Sequence, residues 1–317
     1  MRAHNRVTVS VVVPIYNEEL VLPAALERFR AISATCCDFD FEFILVDDGS
    51  ADASGAMIED AAQRGEITAL RLSRNFGHQA AVSAGIDHAF GDYVAVIDGD
   101  LQDPPELIPE MIAAMQNAEA DVAYGVRTHR KEGALKRCAY HTFYRLLAAL
   151  SPLDIPLDSG DFGVISRRVA GVLRQMPEKS RFVRGLRAYA GFKQVPFAYE
   201  RHSRAAGEPK YTVRKLLGLA MDGLVNFSEV PLRLATFIGF FMAIASVLYG
   251  TYLLVWRIVS DSELPGFATL AVGLFFLGGL QMFFVGLLGE YVGRTYREAK
   301  NRPAYIIASL VRSRTDR

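Results

Sequence analysis

The segment Asp98-Gly99-Asp100-Leu101-Gln102-Asp103-Pro104-Pro105-Glu106 places two carboxylates two residues apart, with an amide two further on, just after the apolar run Tyr93–Ile97. Such a run reads as a buried strand, and ligands bind beyond the C-terminal ends of strands in open α/β sheets. Asp98, Asp100 and Gln102 thus offer oxygen ligands to a hard divalent cation held between protein and phosphate. A lone Asp-x-Asp is usually a solvated turn, but this one is not alone. Phe43–Val46 runs into Asp47-Asp48-Gly49-Ser50, and Val9–Val13 runs into Pro14-Ile15-Tyr16-Asn17-Glu18-Glu19. Three strand ends that converge on one acidic edge define a site for handling a nucleoside diphosphate.

The elements that must hold this edge follow from alternation. Short β-branched runs at Val9–Val13, Glu42–Val46, Ile67–Arg71, Tyr93–Ile97 and Asp121–Tyr124 are separated by helical stretches at Glu19–Ser33, Ala53–Arg64, Gln79–Ala89 and Pro105–Asn117. This order predicts an α/β fold with a mostly parallel sheet flanked by helices. No Gly-x-Gly-x-x-Gly follows the first strand, which argues against a dinucleotide-binding domain. Further strands are expected at Phe162–Ser166 and Gln194–Tyr199.

Lys plus Arg and Asp plus Glu both number 35 in 317 residues, so the formal charge is zero and supplies no general attraction to nucleic acid. The three cysteines, Cys36, Cys37 and Cys138, have no Cys-x-x-Cys spacing and suit a reducing compartment. His78, His88 and His141 form no metal-ligand spacing, and none is assigned to a metal.

Residues 234–256 and 267–289 contain no charged side chain. As helices each would extend about 35 Å, enough to cross a hydrocarbon core of about 30 Å. The intervening connection holds Asp261 and Glu263, whereas Arg233 precedes the first span and Arg294, Arg297, Lys300 and Arg302 follow the second. That bias places the outer flanks in the cytoplasm, at the inner membrane. The expected organisation is a cytosolic catalytic domain over 1–211, an amphipathic juxtamembrane helix over 212–231, a two-helix transmembrane hairpin within 232–293, and a basic cytosolic tail over 294–317. Two readings of the juxtamembrane helix stand equal: an interfacial helix in the membrane plane, or packing against the catalytic domain.

With these residues in view, the chain resembles family 2 glycosyltransferases of GT-A fold, and more narrowly the polyisoprenyl-phosphate glycosyltransferases. The likeness rests on Pro14-x-Tyr16-Asn17-Glu18, Asp47-Asp48-Gly49-Ser50, Arg74-Asn75-Phe76-Gly77-x-x-x-Ala81, Asp98-x-Asp100-x-Gln102-Asp103-Pro104-Pro105-Glu106 and Arg204-x-x-Gly207-x-x-Lys210-Tyr211, in that order, followed by the hairpin. The resemblance implies inverting transfer of a sugar from a nucleoside-diphosphate donor to a polyisoprenyl phosphate such as undecaprenyl phosphate. It places Pro14, Tyr16, Glu18, Asp48, Gln79 and Asp98 at the nucleotide, and Mg²⁺ or Mn²⁺ on Asp98, Asp100 and Gln102 with the donor phosphates. It also implies a catalytic carboxylate within Leu157–Phe162, with Asp161 preferred to Asp158. Arg127, Arg137, Arg201, Arg204 and Lys210 are its phosphate-binding candidates. Pro209 stands where family members often carry Ser, so a hydroxyl contact there is not carried over.

The likeness to the bacterial glucosyltransferase branch favours UDP-glucose, with GDP-mannose or another nucleotide sugar as the alternative donor. A processive polysaccharide synthase would be expected to carry more spans and a Gln-x-x-Arg-Trp motif, whereas the single Trp here, Trp256, lies within a span. A non-catalytic scaffold would not need Asp48, Asp98, Asp100 and Asp161. The lipid bilayer is an expected partner, and a homo-oligomer is left open.

Overall fold

The computed structural model describes residues 6–127, 159–179, 181–200, 230–260 and 266–313. The chain divides into two compact units: residues 1–145, 153–210 and 302–317 form one, and residues 146–152 and 211–301 form the other.

The first unit is built on a sheet of β1 (Val7–Ile15), β2 (Phe39–Asp47), β3 (Thr68–Leu72), β4 (Tyr93–Val96), β5 (Val122–Arg127), β6 (Ser159–Ser166), β7 (Gln194–Tyr199) and β8 (Ile307–Val311). Their spatial order is β7-β5-β6-β4-β1-β2-β3-β8. β1 pairs in parallel with both β2 and β4, so the connections diverge on either side of it and open a crevice at its C-terminal end. β6 and β8 run antiparallel to their neighbours, which makes the sheet mixed.

Side-chain alternation along the strands supplies two apolar layers. Val11, Val13, Phe43 and Leu45 face α1 (Leu22–Thr35), α2 (Ser54–Gln63) and α4 (Ile108–Asn117). Val12, Ile44, Val46 and Val96 face α3 (His78–His88) and α5 (Arg167–Gln175). Both faces are buried, so the strands read as continuous apolar runs. α3 lies so close to β1 that a Cβ on Gly85 would stand 2.1 Å from Val12 Cγ1.

Element bounds depart from expectation for local reasons. The first helix begins at Leu22 rather than Glu19, because Asn17, Glu18 and Glu19 bond the loop after β2. Asn17 N–H donates to Ser50 Oγ at 3.1 Å, Ala51 N–H to Asn17 Oδ1 at 2.9 Å, and Ala53 N–H to Glu19 Oε2 at 3.0 Å. The helix expected over Pro105–Asn117 divides into a 3₁₀ turn at Pro105–Leu107 and α4. Pro109 lacks an N–H and sits in the first turn of α4, where that donor is not needed.

The second unit contains α7 (Val230–Ser260) and α8 (Phe267–Ala299), which touch each other. Leu232–Leu253 and Val272–Ala299 are long and apolar enough to cross a membrane, and none of the hydropathic core of either is buried within the protein. Phe240, Phe275 and Phe283 are each more than 60 % exposed, a surface suited to lipid rather than water. The expected spans fall within these helices, but α8 continues past residue 289 to Ala299. The region read as a basic tail over 294–317 is therefore the end of α8 followed by β8. β8 pairs antiparallel with β3, Leu70 opposite Leu310, in the first unit. The juxtamembrane stretch 212–229 lies outside the described residues.

Candidate active site

The crevice forms where β1, β2 and β4 end beside the start of β6. β6 is antiparallel to β4 with Val96 opposite Gly163, so two residues further out Asp98 and Asp161 come to neighbouring positions across the strand pair. This register explains how acidic residues remote in sequence form one cluster.

Asp161 is clamped by three side chains. His78 Nε2 lies 3.1 Å from Oδ2, Gln79 Nε2 donates to Oδ2 at 3.2 Å, and Arg184 Nε donates to Oδ1 at 2.8 Å. Burial alone would raise the pKa of Asp161. The His78 and Arg184 contacts overcome it and hold the carboxyl well below the usual carboxylate range. His78 in turn is desolvated, yet Asp161 shifts it upward and favours its charged form. Arg184 belongs to α6 (Val183–Tyr189), and the first N–H of that helix, at Val183, donates to Gln79 Oε1 at 2.9 Å. Gln79, expected at the nucleotide, thus spans Asp161 and α6 with both ends of its amide.

Asp98 is pushed up to about 6, first by burial and then by Asp103, with Asp161 and Asp100 adding to the shift and His78 opposing it. Asp100 Oδ1 accepts the Gln102 N–H at 3.2 Å, which turns the motif back on itself. Leu101 between them takes φ +58°, a conformation costly for a branched side chain. Two anchors hold the segment: Arg28 of α1 grips Glu106 through Nε at 2.9 Å and Nη2 at 2.5 Å, and Tyr199 Oη donates to buried Asp103 Oδ1 at 2.7 Å.

Asp48 is buried and accepts the N–H groups of Phe76 at 2.7 Å and Gly77 at 2.9 Å. Desolvation raises its pKa despite those bonds. It fastens the Arg74–Gly77 loop over the end of β2, at Gly49. Gly49 has φ +68°, and a Cβ there would lie 2.5 Å from Arg74 C, so the loop can pass only over glycine. Pro14 lies one residue before the end of β1 in buried surroundings, Tyr16 is 42 % exposed at the crevice rim, and Glu18 N–H donates to Ser54 Oγ at 2.9 Å.

The structure therefore brings together Pro14, Tyr16, Glu18, Asp48, Gln79, Asp98, Asp100, Gln102 and Asp161. Asp158, Arg137, Arg201, Arg204 and Lys210 lie outside the described residues. Arg127 ends β5, and its side chain also lies outside them. The sequence reading missed His78, Arg184 and Arg187. Arg187 is 4 % exposed, with its guanidinium 5.5 Å from the Tyr124 ring centroid, and burial pushes it down to about 10. The position of His78 directly after Asn75-Phe76-Gly77 was the available signal.

A divalent cation fits the chemistry of this donor set. Burial crowds Asp98 against Asp100, Asp103 and Asp161, and a cation would relieve that excess of negative charge. Among the described residues no three His, Cys, Asp or Glu side chains form a closed cage. An ion here would thus need oxygens from a ligand, as expected of a cation shared with a diphosphate.

Comparison with known proteins agrees with this architecture. Residues 10–173 match the model of glycosyl transferase family 2, and residues 230–295 match that of the GtrB C-terminal hairpin. The chain belongs to glycosyl transferase family 2 and is a glycosyltransferase with a membrane-associating hairpin. The uncharacterized glycosyltransferase YkcC of Bacillus subtilis is 42 % identical over 94 % of this chain and 92 % of its own length. The bactoprenol glucosyl transferase of Shigella phage SfII is 39 % identical over 94 % of this chain and 97 % of its own. A solved glucosyl-3-phosphoglycerate synthase from Mycobacterium tuberculosis, in complex with Mn²⁺, UDP-glucose and phosphoglyceric acid, superposes with a TM-score of 0.46 at 20 % identity, over 69 % of this chain and 78 % of that one.

Proposed function

We propose that this enzyme transfers glucose, with inversion, from UDP-glucose to a polyisoprenyl phosphate at the cytoplasmic face of the membrane. The observation that carries the reading is the 39 % identity to a bactoprenol glucosyl transferase, which runs through both the acidic crevice and the hairpin. In the reaction an acceptor phosphate oxygen forms a bond to the anomeric carbon as the bond to the donor β-phosphate breaks, releasing the nucleoside diphosphate. The second proton of a phosphate monoester has a pKa of about 6, so the nucleophile is largely a dianion at neutral pH.

Asp161 is therefore not required to take a proton. Its clamp keeps it ionised, and a fixed carboxylate favours positive charge developing at the anomeric carbon. Asp98 and Asp100, with Gln102, would hold Mg²⁺ or Mn²⁺; when bound, the ion supplies Lewis-acid stabilisation of the departing diphosphate. Asp48 and the loop it fastens, together with Pro14, Tyr16 and Glu18, form the nucleotide side of the crevice. Arg127, Arg137, Arg201, Arg204 and Lys210 are the proposed phosphate contacts. The basic flanks of the hairpin favour a catalytic domain on the cytoplasmic side.

The test is a donor panel with the purified full chain in lipid nanodiscs and undecaprenyl phosphate, with the lipid product resolved by chromatography. Labelled product from UDP-glucose, at a rate well above that from GDP-mannose or UDP-N-acetylglucosamine, is expected. Product from another donor alone would overturn the sugar assignment, and formation of long polysaccharide would overturn the single-transfer reading.

A further inference from the structure

Asp87, near the C-terminal end of α3, joins three parts of the first unit that are remote in sequence. Its Oδ2 accepts a hydrogen bond from Tyr305 Oη at 2.6 Å, and its Oδ1 lies 3.5 Å from Arg181 Nη1. Arg181 also donates through Nη2 to the carbonyls of Leu173 at 3.2 Å and Met176 at 2.8 Å, at the end of α5. Arg174 of α5 returns the contact, donating to the carbonyls of Ile86 at 3.0 Å and Ala89 at the end of α3. Tyr305 stands two residues before β8, and Ile306 O accepts the Ser73 N–H at 2.9 Å.

The same two elements meet again at the crevice. α3 begins with His78 and Gln79, which contact Asp161. Three residues beyond Arg181, Arg184 contacts the other oxygen of Asp161, and Val183 N–H bonds Gln79. Both arms of the Asp161 clamp are thus fastened at Asp87 and Arg181. Tyr305 adds the chain that returns from the hairpin. Tyr305, like Phe76, Val183 and Ile307, packs against the buried apolar layer on the α3 side of the sheet. A phenol bonded to a carboxylate fixes direction as well as distance, whereas apolar packing permits sliding.

We propose that Tyr305 is a positioning residue: through Asp87 and Arg181 it sets the relative placement of α3 and α6, and so the geometry of the His78, Gln79 and Arg184 contacts on Asp161. The inference rests on Asp161 being the reactive-site carboxylate. Its consequence is that residues after the second apolar helix contribute to turnover as well as to folding.

The test compares Tyr305→Phe, which deletes one hydroxyl, with Ile307→Ala, which removes packing on the same segment without touching Asp87. Both are made in the full chain, in nanodiscs, with melting temperature, kcat, donor KM and UDP affinity measured. Tyr305→Phe is expected to lower kcat about tenfold, a modest misplacement effect, with KM and UDP affinity within about twofold. Ile307→Ala is expected to lower the melting temperature at least as far while keeping kcat. In a Gln79→Ala background the strut between the two arms is already cut, and the Tyr305→Phe factor should shrink below about twofold. Asp87→Asn should reproduce the kcat loss if Tyr305→Phe folds poorly. Equal kcat in Tyr305→Phe and Ile307→Ala, or an undiminished factor in the Gln79→Ala background, would overturn the proposal. Full turnover by Asp161→Asn would overturn the reading of Asp161 and this proposal with it. An inactive Asp161→Asn beside a fully active Tyr305→Phe overturns this proposal alone.

Discussion

His78 Nε2 and Asp161 Oδ2 stand 3.1 Å apart although the residues are 83 positions apart in the sequence. Each stabilises the charged form of the other, and Arg184 secures the carboxylate from its second oxygen. A carboxylate so held is a poor proton acceptor and a persistent negative charge.

Asp161→Asn should abolish turnover and also cost stability, on the order of 3 kcal/mol at neutral pH, because it removes the carboxylate charge that His78 and Arg184 face in a largely buried cluster. The folded pKa of Asp161 lies below its ordinary 3.8, so its contribution is present above that pH and is lost as pH falls through the folded value. Melting curves of wild type and variant should therefore converge in acid. A gap that stays constant as pH falls from 7 through the carboxylate range and below it would refute the ion-pair origin.

Asp98→Asn should do the reverse to stability. Asp98 is raised from 3.8 to about 6, so the folded protein holds its proton more tightly than the unfolded chain and loses stability as pH rises through that window. At pH 7.5 the variant should be more stable, on the order of 2 kcal/mol, and at pH 3.5 indistinguishable from wild type. Turnover should be lost throughout. Calorimetry at the two pH values checks the sign.

Chelation should remove activity, and Mg²⁺ or Mn²⁺ should restore it. Asp100→Ala should then be inactive with an unchanged melting temperature, because Asp100 is only partly buried at the rim of the motif. UDP binding measured with and without metal gives a second readout; full turnover in chelator would remove the cation from the mechanism.

Gly49→Ala should weaken UDP binding and lower stability by about 1–3 kcal/mol. The added methyl meets Arg74 and Asn75 backbone at 2.5 and 2.7 Å, and φ +68° is itself unfavourable for alanine. A variant with wild-type nucleotide affinity would show that the Arg74–Gly77 loop is not part of the nucleotide pocket.

Much of the architecture was legible because its signals are local. Gln194–Tyr199 was read with the bounds observed, and β1, β2 and β4 were found from apolar runs that end in acids. What escaped depended on pairing between distant segments. β8 is five residues long, lies beyond two apolar helices, and becomes a strand only through the edge of β3. His78 carries no informative spacing of its own and acquires a role only when antiparallel β6 delivers Asp161 beside it. Gln79 was assigned by motif to the nucleotide, and only the placement of α6 reveals its second partner at Val183.

The pairing of β3 with β8 also orders events during synthesis. β3 leaves the ribosome long before residues 307–311 exist, and the whole hairpin is made in between. Until β8 is made, the nascent catalytic domain carries an open strand edge of the kind that recruits other chains. Closure of that edge thus waits on synthesis of residues 307–311, so premature release would leave β3 exposed in a sticky protein.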